Sequence, residues 1–373
     1  ILTCIAVCMV VAAVPVMAFA SEQTLEERVA AYCENLGDTD GNGKVNVTDA
    51  RKALRIAVGL EIATAQEIKN ADIDNDGGVT VNDARSILRY AVNLSGFDIP
   101  NSVVSKAEVL NLFVTAANKV KEENPGLDRK TTMVTPSIRV TFSDDDIGIK
   151  DMELYDTKAY IDEKIKEAEA VLNSPLALLI PPEKLEELRK AIKSWNDNKD
   201  NIDKMYEPQV ETFHVKAGRS HYAAFTVRGK VWSSRAESED VKSAVLSYQN
   251  GAYEIKITYD DSPTYGAYGE ALPTDITKIP YGRMFDLESY TTYVKPGRSD
   301  FRFNSLKFKN GAVDCKINLS TLSLETATYS FTQIWDYTVI AKSENEEEKD
   351  SESRYVITAK NTAEYIIGQS TVQ

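Results

Sequence analysis

The sequence predicts a multidomain protein, in which a small all-α domain precedes an α+β domain with a curved antiparallel sheet. Two observations predict the first domain: the segment from Gly37 to Gly59 recurs 34 residues later, from Ala71 to Asn93, and each copy ends in a helical pattern of apolar residues. A third observation predicts the second domain. Helical patterns continue to about residue 206, and short alternating runs separated by turns replace them over residues 207–373.

The chain begins with an uncharged apolar run, ILTCIAVCMVVAAVPVMAFA, which ends in an A-x-A site at Ala18 to Ala20. This pattern predicts a cleaved secretory signal over residues 1–20, with an uncleaved membrane anchor as the alternative. Because the run has neither an initiator Met nor a basic start, we expect the signal to be incomplete at its N-terminus. The mature protein is then expected to be secreted and extracellular, without membrane attachment after cleavage.

Charge and cysteine content narrow the function classes. The chain carries 43 Lys and Arg against 57 Asp and Glu, a formal net charge of −14. This balance disfavours nucleic acid as a partner, because Lys and Arg contacts to phosphate dominate such binding.

Outside the signal the sequence has two cysteines, Cys33 and Cys315, which are too few for a disulfide framework. We expect two unrelated thiols, and a bridge between them stays open.

Each copy of the repeat has the oxygen-ligand spacing of an EF-hand-type calcium loop, with glycine at the sharp turn of position 6. Calcium prefers about six to eight oxygen ligands, and position 7 offers its backbone carbonyl. The predicted ligands of two calcium ions, at positions 1, 3, 5, 7, 9 and 12, are Asp38, Asp40, Asn42, Lys44, Asn46 and Asp49 in the first loop and Asp72, Asp74, Asp76, Gly78, Thr80 and Asp83 in the second. The alternative is a pair of solvated acidic loops without metal.

The segments after the two loops are DARKALRIAVGL and DARSILRYAVNL. An EF-hand proper has a helix on both sides of its loop and usually Glu at position 12. Here each loop is predicted to have only a following helix, and position 12 is Asp. A loop and one following helix (an F-hand), written twice with the pattern D-A-R-x-x-L-R, resembles a type I dockerin over about residues 33–97.

The resemblance implies a calcium-dependent module that binds a cohesin domain of a scaffoldin and so places a secreted protein in a cellulosome-type complex for polysaccharide breakdown. In that family, loop positions 10 and 11 and the exposed face of each helix contact the cohesin. The matching residues are Val47, Thr48, Leu54, Arg55, Val81, Asn82, Leu88 and Arg89. Many dockerins have Ser-Thr at positions 10 and 11, so the cohesin class stays open. For Leu54 and Leu88 a core position is the alternative. The likeness of the two helices also permits two alternative binding orientations.

Residues 98–105 are predicted to be a short linker, and residues 106–373 to form the α+β domain. Ser105 and Glu108 form a capping box that begins a helix ending near Lys121. Extended structure is predicted over residues 132–142, and surface helices near residues 157–172 and 182–195.

The β-rich part carries a weaker repetition, in which Asn250-Gly251 and Asn310-Gly311 predict the turns of two related hairpins. The acidic stretch over residues 343–354 predicts a solvated hairpin tip. Trp232 and Trp335 occur in strand-like runs and are expected in the core.

No catalytic motif is recognised in residues 106–373, so no catalytic residue is assigned. His214 and His221 have poor spacing for a shared metal. Glu254 and Asp314 occupy matching places in the two hairpins and are candidates for the paired carboxylates of a glycosidase, although outward-facing strand residues are favoured.

The domain is therefore predicted to be a non-catalytic binding or structural module, with a polysaccharide-degrading hydrolase, either a glycosidase or an esterase, as the alternative. Tyr259, Tyr265 and Tyr268 lie in one Gly- and Asp-containing stretch and are candidates for stacking on a plant polysaccharide. Local packing of these three side chains is favoured, because aromatic residues usually bury much of their area.

Overall fold

The computed structural model describes residues 23–141, 155–220, 236–266, 301–341 and 351–368, together with Phe225, Tyr281 and Phe285. All statements on structure refer to these residues. The predicted signal over residues 1–20, His221, Trp232, Tyr268 and most of the acidic tip lie outside them.

Seven α-helices lie in the described part of the chain. They are α1 (Leu25–Cys33), α2 (Val47–Ala57), α3 (Ala65–Ala71), α4 (Val81–Ala91), α5 (Lys106–Glu123), α6 (Thr157–Leu172) and α7 (Pro182–Tyr206), with a short 3-10 helix at Pro175–Leu179. Helices α2 and α4 pack against each other. Their small side chains, Ala50, Ala53 and Ala84, let the helices approach closely around Ile87.

The strands of the described residues form one antiparallel sheet. They are β1 (Phe97–Asp98), β2 (Leu127–Val140), β3 (Tyr155–Asp156), β4 (Gln209–Val215), β5 (Val241–Gln249), β6 (Ala252–Tyr259), β7 (Phe301–Asn318), β8 (Ser323–Ala341) and β9 (Ser351–Ile367). Their order is β1-β5-β6-β7-β8-β9-β2-β3, and β4 pairs with β2. The α+β prediction with an antiparallel sheet is thus confirmed.

Helix α5 covers one face of the sheet. Ser105 and Glu108 form the expected capping box, and Asn124 ends the helix in the left-handed conformation. The apolar face of α5, including Phe113 and Ala116, is fully buried in a core shared with strands β5 to β9. Burial of side chains such as Phe113 contributes about 1.5–3 kcal/mol each, which is what holds this helix on the sheet.

Helices α6 and α7 form a hairpin at the other end of the sheet, as expected of surface helices. Helix α6 has the predicted bounds, whereas α7 continues well beyond residue 195 to Tyr206. The hairpin is anchored at the backbone oxygen of Ile138, which accepts hydrogen bonds from the hydroxyls of Thr157 (2.9 Å) and Tyr206 (3.4 Å). No described side chain of α7 is buried.

The two Asn-Gly pairs have different structures. Asn250 and Gly251, with φ of 52° and 83°, form the β5–β6 hairpin turn, as predicted. The prediction for Asn310-Gly311 is wrong, because both residues lie inside β7, where the register with β8 shifts between Lys309 and Ala312. This bulge brings the Gly311 amide to the buried Tyr281 hydroxyl at 2.9 Å, and a Cβ there would lie 2.8 Å from the Tyr281 ring.

The segment expected as a linker is part of the fold. Strand β1 pairs with β5 through Phe97 and Tyr248, and the Ile99 amide donates to the Leu246 oxygen at 2.8 Å. Ile99 and Val104 are buried in the main core. The two-loop unit (residues 25–94) is consequently held to the sheet by paired backbone and buried side chains.

Candidate metal loops and docking surface

The first acidic loop is organised by its own backbone amides. Asp38 accepts from the amides of Asn42 (3.0 Å) and Gly43 (2.8 Å), and Asp49 accepts from those of Asp40 (3.1 Å) and Asn46 (2.9 Å). One carboxylate oxygen from each of Asp38, Asp40 and Asp49 lies within 4.8 Å of the others. The predicted ligands at positions 1, 3 and 12 therefore converge on one point.

The second loop repeats the arrangement. Asp72 accepts from the amides of Asp76 (3.1 Å) and Gly77 (2.9 Å), and one oxygen each of Asp72, Asp74 and Asp76 lies within 4.8 Å of the others. Asp83 at position 12 accepts instead from the amide of Ile73 (2.9 Å) and from the amide and hydroxyl of Thr80 (2.8 and 2.7 Å). The second loop thus converges through positions 1, 3 and 5.

Left-handed backbone conformations give both loops their turn. Position 6 has a φ of 81° at Gly43 and 97° at Gly77, and position 4 has 73° at Gly41 and 56° at Asn75. These conformations favour glycine and asparagine, which explains the residues that the repeat places there. Position 9 has a second task, because Asn46 and Thr80 are the N-caps of α2 and α4.

The clustered carboxylates are electrostatically unfavourable by themselves. Burial raises the pKa of Asp49, partly offset by the amides that hydrogen-bond to it. Burial also raises the pKa of Asp74, and the negative charges of Asp83 and Asp76 add to the effect. A dication offsets this repulsion, and a donor set made only of oxygens suits a hard cation such as calcium.

The prediction that each loop has only a following helix is wrong. Helix α3 ends directly at Asp72, and α1 ends at Cys33, a few residues before the first loop. Both are short helices that begin with a capping box, Thr24 with Glu27 and Thr64 with Glu67. These T-x-x-E signals are visible in the sequence and could have revealed the two helices.

The eight predicted partner-binding residues are all exposed: Val47, Thr48, Leu54, Arg55, Val81, Asn82, Leu88 and Arg89. Val47 and Val81 expose 54% and 56% of their surface, and Leu54 and Leu88 expose 42% each. The alternative of a core position for the two leucines is therefore excluded.

Two more pairs extend the same surface and were missed from the sequence. Val58 and Val92 are 52% and 47% exposed, and Leu60 and Leu94 follow them at the helix ends. All of these pairs are separated by 34 residues, so the repeat itself is the signal that could have found them. We call the two sets the α2 stripe (Val47, Leu54, Val58, Leu60) and the α4 stripe (Val81, Leu88, Val92, Leu94). Exposed apolar rows of this kind are typical of interaction sites.

The arginines beside the stripes are also placed alike. Arg55 donates from Nε to Glu61 at 3.0 Å, and Arg89 donates from Nε to the Ser95 hydroxyl at 3.1 Å. Each contact reaches six residues along the chain, past the end of its helix. The two guanidinium groups are thereby fixed on equivalent edges of the two stripes.

Tyr259 is only 4% exposed, so its candidate role in glycan stacking is excluded and the local packing that we favoured is confirmed. Its ring packs against Tyr281 (5.8 Å between centroids) and Phe285 (5.4 Å), so it cannot stack on a sugar without unpacking the core. Tyr265 is half-buried and is held by a backbone bridge to Leu306.

The candidate carboxylates of the sheet are paired with lysines. Glu254 and Asp314 lie on neighbouring strands, and their oxygens are each 3.7 Å from the ammonium of Lys316 or Lys256. They are the outward-facing strand residues that we favoured. His214, whose Nδ1 is 2.8 Å from Asp128, is an exposed residue of β4.

Cys33 and Cys315 are both free thiols, so no bridge joins them. Burial raises the pKa of each thiol to about 12.

No helix in the described part of the chain has both the length and the apolar character needed to span a bilayer. Comparison of the chain with protein-family models, curated proteins and solved structures finds no match.

Proposed function

We propose that residues 33–97 are a dockerin-like module that binds a cohesin domain of a scaffoldin in a calcium-dependent manner. The chain would thereby be attached, as a secreted extracellular protein, to a cellulosome-type complex for polysaccharide breakdown. One observation carries the proposal: each acidic loop leads into a helix that exposes the same apolar stripe and the same arginine. A solvated loop alone would not require a matched apolar surface behind it.

The two loops would bind the metal ions and thereby hold the helices that carry this surface. Two calcium ions, when bound, would supply positive charge against the clustered carboxylates. Asp38, Asp40 and Asp49 would hold the first ion, and Asp72, Asp74 and Asp76 the second, with further oxygens from the remaining loop positions. Asn46 and Thr80 cap the helices from within the loops, so loop geometry sets where each stripe begins.

The stripes would supply most of the binding energy. Full burial of a Val or Leu side chain contributes about 1.5–3 kcal/mol, and each stripe has four such residues that are between 42% and 70% exposed in the free chain. Arg55 and Arg89 would add charge pairing to an acidic rim on the cohesin, which chiefly affects the association rate and specificity.

The direct test is capture of the mature protein on immobilised type I cohesins, with calcium and with excess EGTA. We expect retention in calcium and release in EGTA. Because the cohesin class is open, a panel of cohesins is needed. Retention that does not depend on calcium, or no retention on any cohesin, would count against the proposal.

We propose that residues 106–373 act as a non-catalytic binding or structural module that this attachment delivers. The supporting observation is that Glu254 and Asp314 are each paired with a cross-strand lysine on an outward-facing part of the sheet. Incubation with a panel of plant polysaccharides tests this, with retention and release of reducing sugar scored separately. Release of sugar or of ester groups would instead favour the hydrolase alternative.

A further inference from the structure

The two-loop unit meets the sheet at a contact that we call the seam, formed by Tyr90, Phe97, Tyr248 and Asn250. The rings of Tyr90 and Phe97 are stacked, with centroids 4.2 Å apart and planes at 6°. Phe97 pairs with Tyr248 across β1 and β5. At the β5–β6 turn, Asn250 donates from its backbone amide to the Tyr90 hydroxyl and from its side chain to Asn93, each at 3.0 Å. The seam thus ties the end of α4 to the sheet.

The first loop rests directly on the seam. Gly37, with a φ of 84°, precedes the first ligand, and a Cβ at this position would lie 2.6 Å from the Phe97 ring. The Gly37 amide donates to the backbone oxygen of Asn70 at 2.7 Å, and the Asn70 side-chain amide donates to the backbone oxygen of Asp38 at 2.7 Å. Any movement of Asp38 must therefore shift the backbone that packs on Phe97.

The second loop is connected to the sheet through α1. The Tyr32 hydroxyl donates to the backbone oxygen of Ile73, inside the second loop, at 2.5 Å. Four residues earlier, Arg28 forms an ion pair with Glu108 of α5 at 2.5 Å. Val29 is fully buried in the core that lies under the sheet. Helix α1 therefore contacts both the metal loop and the sheet domain.

Cys33 lies where these contacts meet. Its partly buried thiol lines a cavity of about 490 Å³ together with Asp38, Gly43, Tyr90 and Tyr248. Cys315, in contrast, is buried in the sheet core on β7. The two thiols are therefore separate reporters, one for the seam and one for the sheet.

We propose that calcium binding in the two loops keeps the seam closed, and that removal of calcium opens it and exposes Cys33 while the sheet stays folded. The inference rests on the proposed calcium binding. Without a dication, the carboxylates of Asp38, Asp40 and Asp49, all within 4.8 Å, repel one another in a half-buried loop. Opening of the loop moves Gly37 away from Phe97 and removes the support for the β1–β5 pairing.

The test is the rate of N-ethylmaleimide labelling of the mature chain, measured peptide by peptide with mass spectrometry in calcium and in EGTA. We expect Cys33 labelling to accelerate at least about tenfold in EGTA, which corresponds to about 1.4 kcal/mol in the opening equilibrium, and Cys315 labelling to stay slow. Equal Cys33 rates in both conditions would overturn the proposal. A parallel rise at Cys315 would overturn it as well, because the whole chain would then unfold.

A variant separates the seam from the metal sites. Tyr90→Phe keeps the ring stack but removes the hydroxyl that accepts from Asn250, so Cys33 should label several-fold faster even in calcium. Tyr355→Phe is the matched control, because it alters a stacked tyrosine pair on β8 and β9, away from the seam. A Tyr90→Phe rate equal to that of Tyr355→Phe would contradict the assigned contact.

Calorimetric titration with calcium distinguishes the two ways in which the idea can fail. If the chain binds no calcium, the proposed function itself fails. If it binds two ions and the Cys33 rate does not change, the proposed function stands and the coupling to the seam is wrong.

Discussion

Leu54 on α2 and Leu88 on α4 are 34 residues apart in sequence, and each exposes 42% of its surface. The neighbouring Ala53 and Ile87, one position earlier in each helix, are fully buried. One face of each helix therefore builds the core between α2 and α4, and the adjacent face leaves an apolar row in solvent. Since the exposed part of each leucine adds nothing to the core, a binding role accounts for this apolar row better than a folding role.

Substitutions at Ile87 and Leu88 test whether the buried face of α4 stabilises the fold and the exposed face does not. Ile87→Ala should destabilise the two-loop unit by about 2–5 kcal/mol, because it leaves a cavity in the core. Leu88→Ala should cost clearly less, about 1 kcal/mol or below, because 42% of the Leu88 surface is already in water. Urea unfolding in calcium measures both, and a large loss for Leu88→Ala would indicate that it is a packing residue.

Reversal of charge at the stripes tests whether the two faces bind alternatively. Arg55→Glu alone should leave cohesin affinity nearly unchanged, because the α4 stripe with Arg89 remains available. Arg55→Glu combined with Arg89→Glu should weaken binding by at least about a hundredfold. Lys242→Glu, an exposed position on β5, is the charge-matched control. Titration calorimetry measures the cohesin affinity of each variant. Full loss of binding in Arg55→Glu alone would show that only one face binds.

The ligands at position 3 test the two metal sites separately. Asp40 and Asp74 are exposed and contribute one oxygen each to their clusters, so their replacement removes a ligand without opening the core. Asp40→Ala and Asp74→Ala should each reduce tight calcium binding from two ions to one, and the double variant should bind none tightly. Asp200→Ala on α7 is the control, and unchanged stoichiometry in both single variants would exclude these loops as the sites.

Short sequence patterns predicted those parts of the fold that are determined by residues close together in the chain. The capping box at Ser105 and the apolar periodicity behind it give α5, and the ligand spacing gives two loops whose carboxylates converge. The missed α3 is only seven residues long and has no long apolar pattern, so its capping box at Thr64 was the single signal available.

The remaining failures come from contacts between distant parts of the chain. Asn310-Gly311 has the sequence of a hairpin turn, but continuous pairing of β7 with β8 on both sides turns it into a bulge. Packing of Tyr259 is favoured from the sequence, but no local pattern relates this residue to its ring partners Tyr281 and Phe285. The seam between Phe97 and Tyr248 likewise depends on residues about 150 apart, beyond the reach of periodicity and spacing.

The Glu108 carboxylate is expected to make the stability of the fold depend on pH. Hydrogen bonds from the Ser105 amide and hydroxyl, and the nearby Arg28, lower its pKa from 4.5 to about 2. Because the folded pKa is depressed, Glu108 stabilises the fold fully above the unfolded pKa near 4.5, and this contribution is lost as the pH falls toward 2. Glu108→Gln keeps the capping geometry and removes the charge, so it should be less stable than the wild type at pH 7 and approach it near pH 2. The carboxylate is 40% exposed, so the difference at pH 7 should be modest, about 1 kcal/mol or less.

Urea midpoints from pH 7 to pH 2.5 measure this difference in stability, with Glu163→Gln on α6 as an exposed control. A gap between Glu108→Gln and the wild type that widens toward low pH would contradict the assigned role.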